Sequence, residues 1–404
     1  MLSPPPWGGD AMHDRSTATR PRTPRASAIA AAALASLLVL TACAGAERVP
    51  TGTGETAVPG AEPSTTPLSS DAPVVPLAPT GALSPLATGL TTPWSIVPLP
   101  TGSTLISERD TARVLELTPQ GELRVVGTVA GVVPGGEGGL LGLAARDVGT
   151  PSLYVFHTAA SDNRIVRYEL TGSPGSYGLG AAEALLTGIP KARTHNGGRL
   201  AFGPDGMLYA TTGDARLVDE AQNPRSLVGK ILRLTPEGGV PADNPFAGSY
   251  VYSLGHRNPQ GIVFDRTGQL WAAEFGQNTW DELNRIEAGA NYGWPIVEGM
   301  GGRAGYTDPV QQWPTSEASP SGLGIVGDTL FLAALRGQRL WVVDIDDPGT
   351  GRAFFVGELG RIRDAVAGPD GSLLVVTSNT DANGTPGPLD DRLIAVTLAP
   401  RGQG

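Results

Sequence analysis

The chain has 404 residues, 40% of them hydrophobic and 17% charged, with a formal net charge of −10. An acidic balance of this size argues against nucleic acid and anionic lipid headgroups as partners. The single cysteine rules out an intramolecular disulfide framework.

Near the start, Arg15, Arg20, Arg22 and Arg25 precede an apolar run from Ala28 to Leu40, which ends in Leu40-Thr41-Ala42-Cys43. A basic flank, a short apolar core and small residues before a cysteine describe a secretory signal with a lipobox, too short for a comfortable membrane span. The expectation is a lipoprotein signal peptide over 1–42. Lipidation of Cys43 would then anchor the mature protein on the outer face of the cell membrane. Residues 43–82 are rich in Pro, Thr, Ser, Ala and Gly without apolar periodicity and read as a flexible tether. Residues 83–404 are enough for one domain with a sizeable core.

Within that domain a short apolar strand, a tight turn and a second apolar strand recur six times. The units begin at Ile96, Leu143, Leu200, Ile262, Gly324 and Val366. The turns carry Gly, Pro and Asp, as in Gly203-Pro204-Asp205-Gly206 and Gly368-Pro369-Asp370-Gly371. A repeat of about fifty residues, with room for two further strands in each unit, is the pattern of propeller blades. Companion strands are visible in Arg113–Leu117, Arg164–Tyr168, Lys230–Leu234 and Leu340–Asp344, and no segment beyond the leader has a helical period. The fold class expected is all-β, a six-bladed β-propeller, with a small ligand in the funnel where the innermost strands meet.

Polar clusters in chain order nominate the chemistry. Gly135-Gly136-Glu137-Gly138-Gly139 is glycine-rich, yet no helical pattern follows it to make a dinucleotide site. His195 stands in His195-Asn196-Gly197-Gly198-Arg199, where a neutral imidazole could take a proton, and Asp214, beyond the next hairpin, could fix its tautomer. A plain surface-loop histidine is the competing reading. Arg257-Asn258-Pro259 is stiff because Pro restrains the residue before it, which suits a guanidinium that recognises a carboxylate or a quinone oxygen. His256, beside it, reads equally as a packed neighbour. Gly276-Gln277 with Asp281 and Glu282, then Asn291-Tyr292-Gly293, mix carbonyls and carboxylates of the kind Ca²⁺ takes, without an EF-hand spacing. Arg361 and Arg363 share one face of a strand by their period of two. They are either a solvated edge or partners of Arg257 around a polyanion.

At these residues the chain resembles the soluble pyrroloquinoline quinone (PQQ) dependent glucose/sorbosone and aldose sugar dehydrogenases. Seven motifs carry the likeness, from Gly136–Gly142 through His195–Asp214, Gly229–Arg233, Asp243–Phe246, Gly255–Gly261 and Asn291–Pro295 to Arg361–Asp364. The resemblance implies a six-bladed propeller that oxidises the C1 hydroxyl of an aldose to a lactone and passes electrons to an external acceptor. It implies that His195 is the general base, that Asp214 orients it and that Arg257 and Asn258 contact the quinone oxygens. Arg361 and Arg363 would bind the PQQ carboxylates. Glu137 would contact the cofactor at the position where glucose-oxidising members have Gln, and Arg336 would do so where they have a cofactor-binding Lys. The carbonyls of Gly276 and Gln277 would hold a calcium bridging to PQQ, and Asp281, Glu282 and the Tyr292 carbonyl a second, structural calcium.

Two other classes compete with an oxidoreductase. A calcium-dependent lactonase would use the metal in a carboxylate-rich funnel but would leave three arginines without a purpose. A non-catalytic extracellular binding propeller would need neither PQQ nor calcium.

Overall fold

The structure is a computed structural model that describes residues 75–402. The expected leader, Cys43 and the tether up to residue 74 lie outside the described residues. Among those described, no helix is long and apolar enough to cross a membrane.

Six four-stranded antiparallel sheets account for the domain, with one short 3-10 turn at Val218–Gln222. The six-bladed propeller is therefore the architecture found. The innermost strands are Pro93–Pro98, Leu140–Arg146, Leu200–Phe202, Pro259–Phe264, Pro320–Val326 and Ile362–Ala367, and each contains one of the six repeat starts. The turn chemistry sets their register. Gly206, at φ 76°, carries Leu200–Phe202 back along Leu208–Thr212, with Leu200 opposite Ala210 and Phe202 opposite Leu208.

Blade 6 is closed by the opposite end of the chain. Leu77–Ala87 pairs antiparallel with Leu393–Pro400, placing Leu83 opposite Val396. The propeller thus begins at Leu77 and not at residue 83, so the last six residues assigned to the tether belong to a strand. Pro79, Thr80 and Gly81 look like linker, and an outermost strand tolerates them because one edge needs no hydrogen-bonding partner. Only Leu77 and Leu83 of this strand pack onto the core between blades 5 and 6.

Stability comes from sheet packed on sheet. The apolar core divides into six clusters, one at each contact between neighbouring blades. Leu105 and Val114 meet Leu143 and Val155 between blades 1 and 2, for example, while Trp271 and Trp313 meet Leu323 and Trp341 between blades 4 and 5. Strands buried on both faces, such as Thr329–Ala334, have no polar face, and this is why their sequences run apolar without alternation. Along the axis the Arg199 guanidinium bonds Asp364 at 2.7 Å and the Gln260 carbonyl at 2.7 Å, and lies 4.2 Å from the Trp94 ring.

Candidate active site

In every blade the second strand returns to the end where the first began, so residues just before the first strand and just after the second gather at one mouth. A cavity of about 1010 Å³ opens there, walled in part by Glu137, Arg336, Arg361 and Arg363. It also takes in Arg109, Arg193 and Asp381, which the sequence analysis did not single out. Their signal lay in the repeats: Arg109 and Asp381 follow second strands, as Asp214 and Arg336 do.

His195 is buried beside this wall in a left-handed backbone conformation, φ 60°. Its Nδ1 is 2.7 Å from Asp214 Oδ1, and the other oxygen, Asp214 Oδ2, accepts the Trp294 indole N–H at 2.9 Å. Burial opposes ionisation of Asp214, but the bond from His195, that from the Arg216 N–H and that from Trp294 hold its carboxyl below the ordinary range. An ionised carboxylate only accepts. Nδ1 therefore carries the ring proton and Nε2 keeps the lone pair a general base needs. The other two described histidines lack this arrangement. His256 is fully buried between Ser253 and Glu274 and stacked on Tyr292, the packed role considered for it, and His157 is pushed down to about 4 by burial.

The cations divide into two groups. Arg361 and Arg363 converge as period two required, but on a protein carboxylate: both guanidiniums reach Asp381 Oδ2, at 3.0 and 3.3 Å. Burial pushes Arg363 down to about 9, against the pull of Asp381. Arg336 stands exposed on the wall with no side-chain bond to any described residue. Arg257 does not line the large cavity. It lines a small adjoining crevice, donates to the Phe275 carbonyl at 3.3 Å and lies 5.4 Å from the Trp294 ring, while Phe275 borders both spaces. Asn258 spends its amide oxygen on the Gly197 N–H at 3.0 Å and so holds the His195 loop. Of the four guanidinium nitrogens buried and unpaired among the described residues, Arg257 Nε and Arg363 Nε belong to residues that line these two spaces. Buried donors without acceptors are costly, and a ligand rich in carboxylate and quinone oxygens matches both them and the arginine wall.

The residues proposed for one structural calcium separate. Adjacent strand residues point to opposite faces, so the Asp281 carboxylate accepts the N–H groups of Gly276 and Ser319, whereas Glu282 turns into the crevice with Tyr292 and Arg257. Burial lifts Asp281 to about 6, and burial with the nearby charge of Glu274 lifts Glu282 to about 8. Beside Glu282, Asn284 Oδ1 is a buried acceptor without a partner. Glu282, Asn284 and Tyr292 thus fit a hard cation better than the pair Asp281 and Glu282. No cluster of three or more His, Cys, Asp or Glu with metal-ligand geometry occurs among the described residues. Gly276 must be glycine, because a Cβ would lie 1.7 Å from the Trp280 carbonyl oxygen. The loop that presents Gly276 and Gln277 is organised by Glu298, a residue the sequence analysis missed, whose Oε1 accepts the N–H groups of residues 277–280.

Comparisons with known proteins identify the family. The profile of the Glucose / Sorbosone dehydrogenase family matches residues 90–386. Quinoprotein glucose dehydrogenase B of Acinetobacter calcoaceticus is 33% identical over 256 residues, which are 55% of this chain and 54% of that enzyme, so the chain matches about half the length of that relative. The aldose sugar dehydrogenase of Escherichia coli is 34% identical over 223 residues, 48% of this chain and 60% of that protein. Among solved structures, the PQQ-bound form of aldose sugar dehydrogenase from Streptomyces coelicolor is 46% identical with a TM-score of 0.75, over 80% of this chain and 100% of that one.

Proposed function

Because this chain belongs to the glucose/sorbosone dehydrogenase family, we propose that it is a PQQ-dependent dehydrogenase that oxidises the C1 hydroxyl of aldose sugars to lactones. The observation that carries the reading is the pair His195 and Asp214 at 2.7 Å beside a cavity walled by Arg336, Arg361 and Arg363. His195 Nε2 takes the proton of the sugar hydroxyl. Asp214 stabilises the imidazolium that forms and, with Trp294 on its second oxygen, stops the ring from turning. Arg361 and Arg363 would hold the cofactor's carboxylates, with Arg336 at the rim, while Arg257 would reach the quinone oxygens from the adjoining crevice and Asn258 holds the His195 loop. PQQ, when bound, supplies the two-electron acceptor for the hydride. Calcium would be held by the carbonyls of Gly276 and Gln277 and would act as a Lewis acid toward developing negative charge, and a second ion fits Glu282, Asn284 and Tyr292. The electrons then pass to an external acceptor.

The leader completes the proposal. Cleavage before Cys43 and lipidation of its sulfur would hold the enzyme outside the cell membrane, which mass spectrometry of the mature N-terminus tests directly.

For the activity, apo-protein is given PQQ and Ca²⁺ with an aldose and a redox dye. Dye reduction that requires PQQ, and that His195→Ala lowers by about 10²–10⁴-fold without loss of PQQ binding, is the expected result. Lactone hydrolysis without dye reduction would make it a lactonase. Neither activity, with no saturable PQQ binding, would leave a binding propeller.

A further inference from the structure

The Gly135–Gly139 run is a close-approach loop. A Cβ on Gly136 would lie 2.0 Å from the Arg193 carbonyl oxygen, and one on Gly139 2.3 Å from that of Arg109. Gly139 thus lets this loop of blade 2 lie against the end of the second strand of blade 1, and Gly136 lets it lie against the chain entering blade 3, where the Glu137 N–H donates to the Arg193 carbonyl at 2.8 Å. The contact delivers Glu137 to an unexpected partner. Its Oε2 accepts the backbone N–H of His195 at 2.7 Å.

That N–H belongs to a strained residue. His195 has a Cβ yet adopts a left-handed backbone at φ 60°, in a loop where Gly197 and Gly198 are also left-handed at 64° and 105°. Such a conformation persists only where its surroundings over-determine it. The ring is fixed by Asp214 and the carbonyl by the Ala215 N–H at 3.1 Å, while the N–H is fixed by Glu137. Without the last bond the backbone can relax toward negative φ, and the imidazole would swing away from Asp214.

We infer that Glu137 is the positioning residue of His195: a half-buried carboxylate on the cavity wall that locks the base's backbone in its left-handed state and so fixes which ring nitrogen faces the substrate. This rests on the proposed dehydrogenase reading, and it gives Glu137 a different task from the cofactor contact the family resemblance implies. The required property is a hydrogen-bond acceptor at this reach, which Gln shares and Ala or Met lacks.

The test compares the parent with Glu137→Gln, Glu137→Ala and the near-isosteric Glu137→Met, the last serving if the Ala variant does not fold. ¹⁵N spectra of the imidazoles, with His195 assigned from a His195→Gln control, report the tautomer without cofactor or substrate. The expected result is a single Nδ1–H tautomer in the parent and the Gln variant, and a mixed one in Ala and Met. In the reconstituted enzyme, kcat should fall by about 10²-fold in Ala and Met with KM changed far less, and Gln should restore it to within about threefold. An unchanged tautomer in Ala and Met overturns the inference. So does a Gln variant as impaired as Ala, or weakened PQQ binding with normal turnover per bound cofactor. The tautomer is measured without turnover, so absence of sugar oxidation would sink the dehydrogenase reading and leave the positioning result standing.

Discussion

The two ends of the propeller axis are built from the same six strands and differ in almost everything else. At the upper mouth the connections are long, as from Thr212 to Lys230 and from Thr377 to Leu393, and they bring in His195, Asp214, Asp381 and the arginines. At the lower mouth the connections are tight turns, and the axial space of about 350 Å³ is walled by Val97, Pro98, Phe202, Val263, Ile325 and Val366. Arg199 and Asp364 lie on the axis within the ring of innermost strands. The lower turns specify the blades, while the upper loops, relieved of that duty, hold the chemistry.

The contact that both ends share should be the most sensitive point. Asp364→Ala leaves the Arg199 guanidinium buried without its carboxylate and removes an acceptor from the Ile96 N–H. A loss of about 3–5 kcal/mol in urea unfolding is expected, and a loss below 1 kcal/mol would show that the axis is not held this way.

The upper end should also carry a pH liability. Buried His157 sits near 4 when folded and near its ordinary 6.5 when unfolded. Between those values the unfolded chain binds the extra proton, so stability falls as pH drops from 6.5 toward 4, by at most about 3 kcal/mol. His157→Phe should flatten this part of the stability profile, and an identical slope in the variant would assign the loss to other groups.

Arg361→Ala tests the upper wall as a ligand site. One charge-assisted contact is worth about 1.5–3 kcal/mol, so titration of apo-protein with PQQ in excess Ca²⁺ should show at least a tenfold weaker Kd. Equal affinities would remove Arg361 from the cofactor cradle.

The smallest effect belongs to the lower end. Gly206→Ala places a Cβ in open space but at φ 76°, costing about 1 kcal/mol of stability with turnover per folded molecule unaltered. Lost turnover would mean that the two ends are not independent.

The propeller was legible because each blade repeats the same local problem. An apolar strand, a Pro/Asp/Gly turn and a second apolar strand are properties of contiguous residues, and six copies count six blades. His195, Asp214, Arg361 and Arg363 were legible through motifs and the period of a strand. Sequence alone determined no relation between distant loops. It could not bring Leu77–Ala87, which looks like linker, onto Leu393–Pro400, since that pairing joins the two ends of the domain. It could not show that Asp281 meets the Ser319 N–H of the next blade, that Asp381 receives both arginines, or that Glu137 holds the backbone of His195 from the preceding blade. Those relations are set by the closure of six sheets into a ring, which brings loops dozens of residues apart within hydrogen-bonding distance, and only the tertiary structure decides which of them meet.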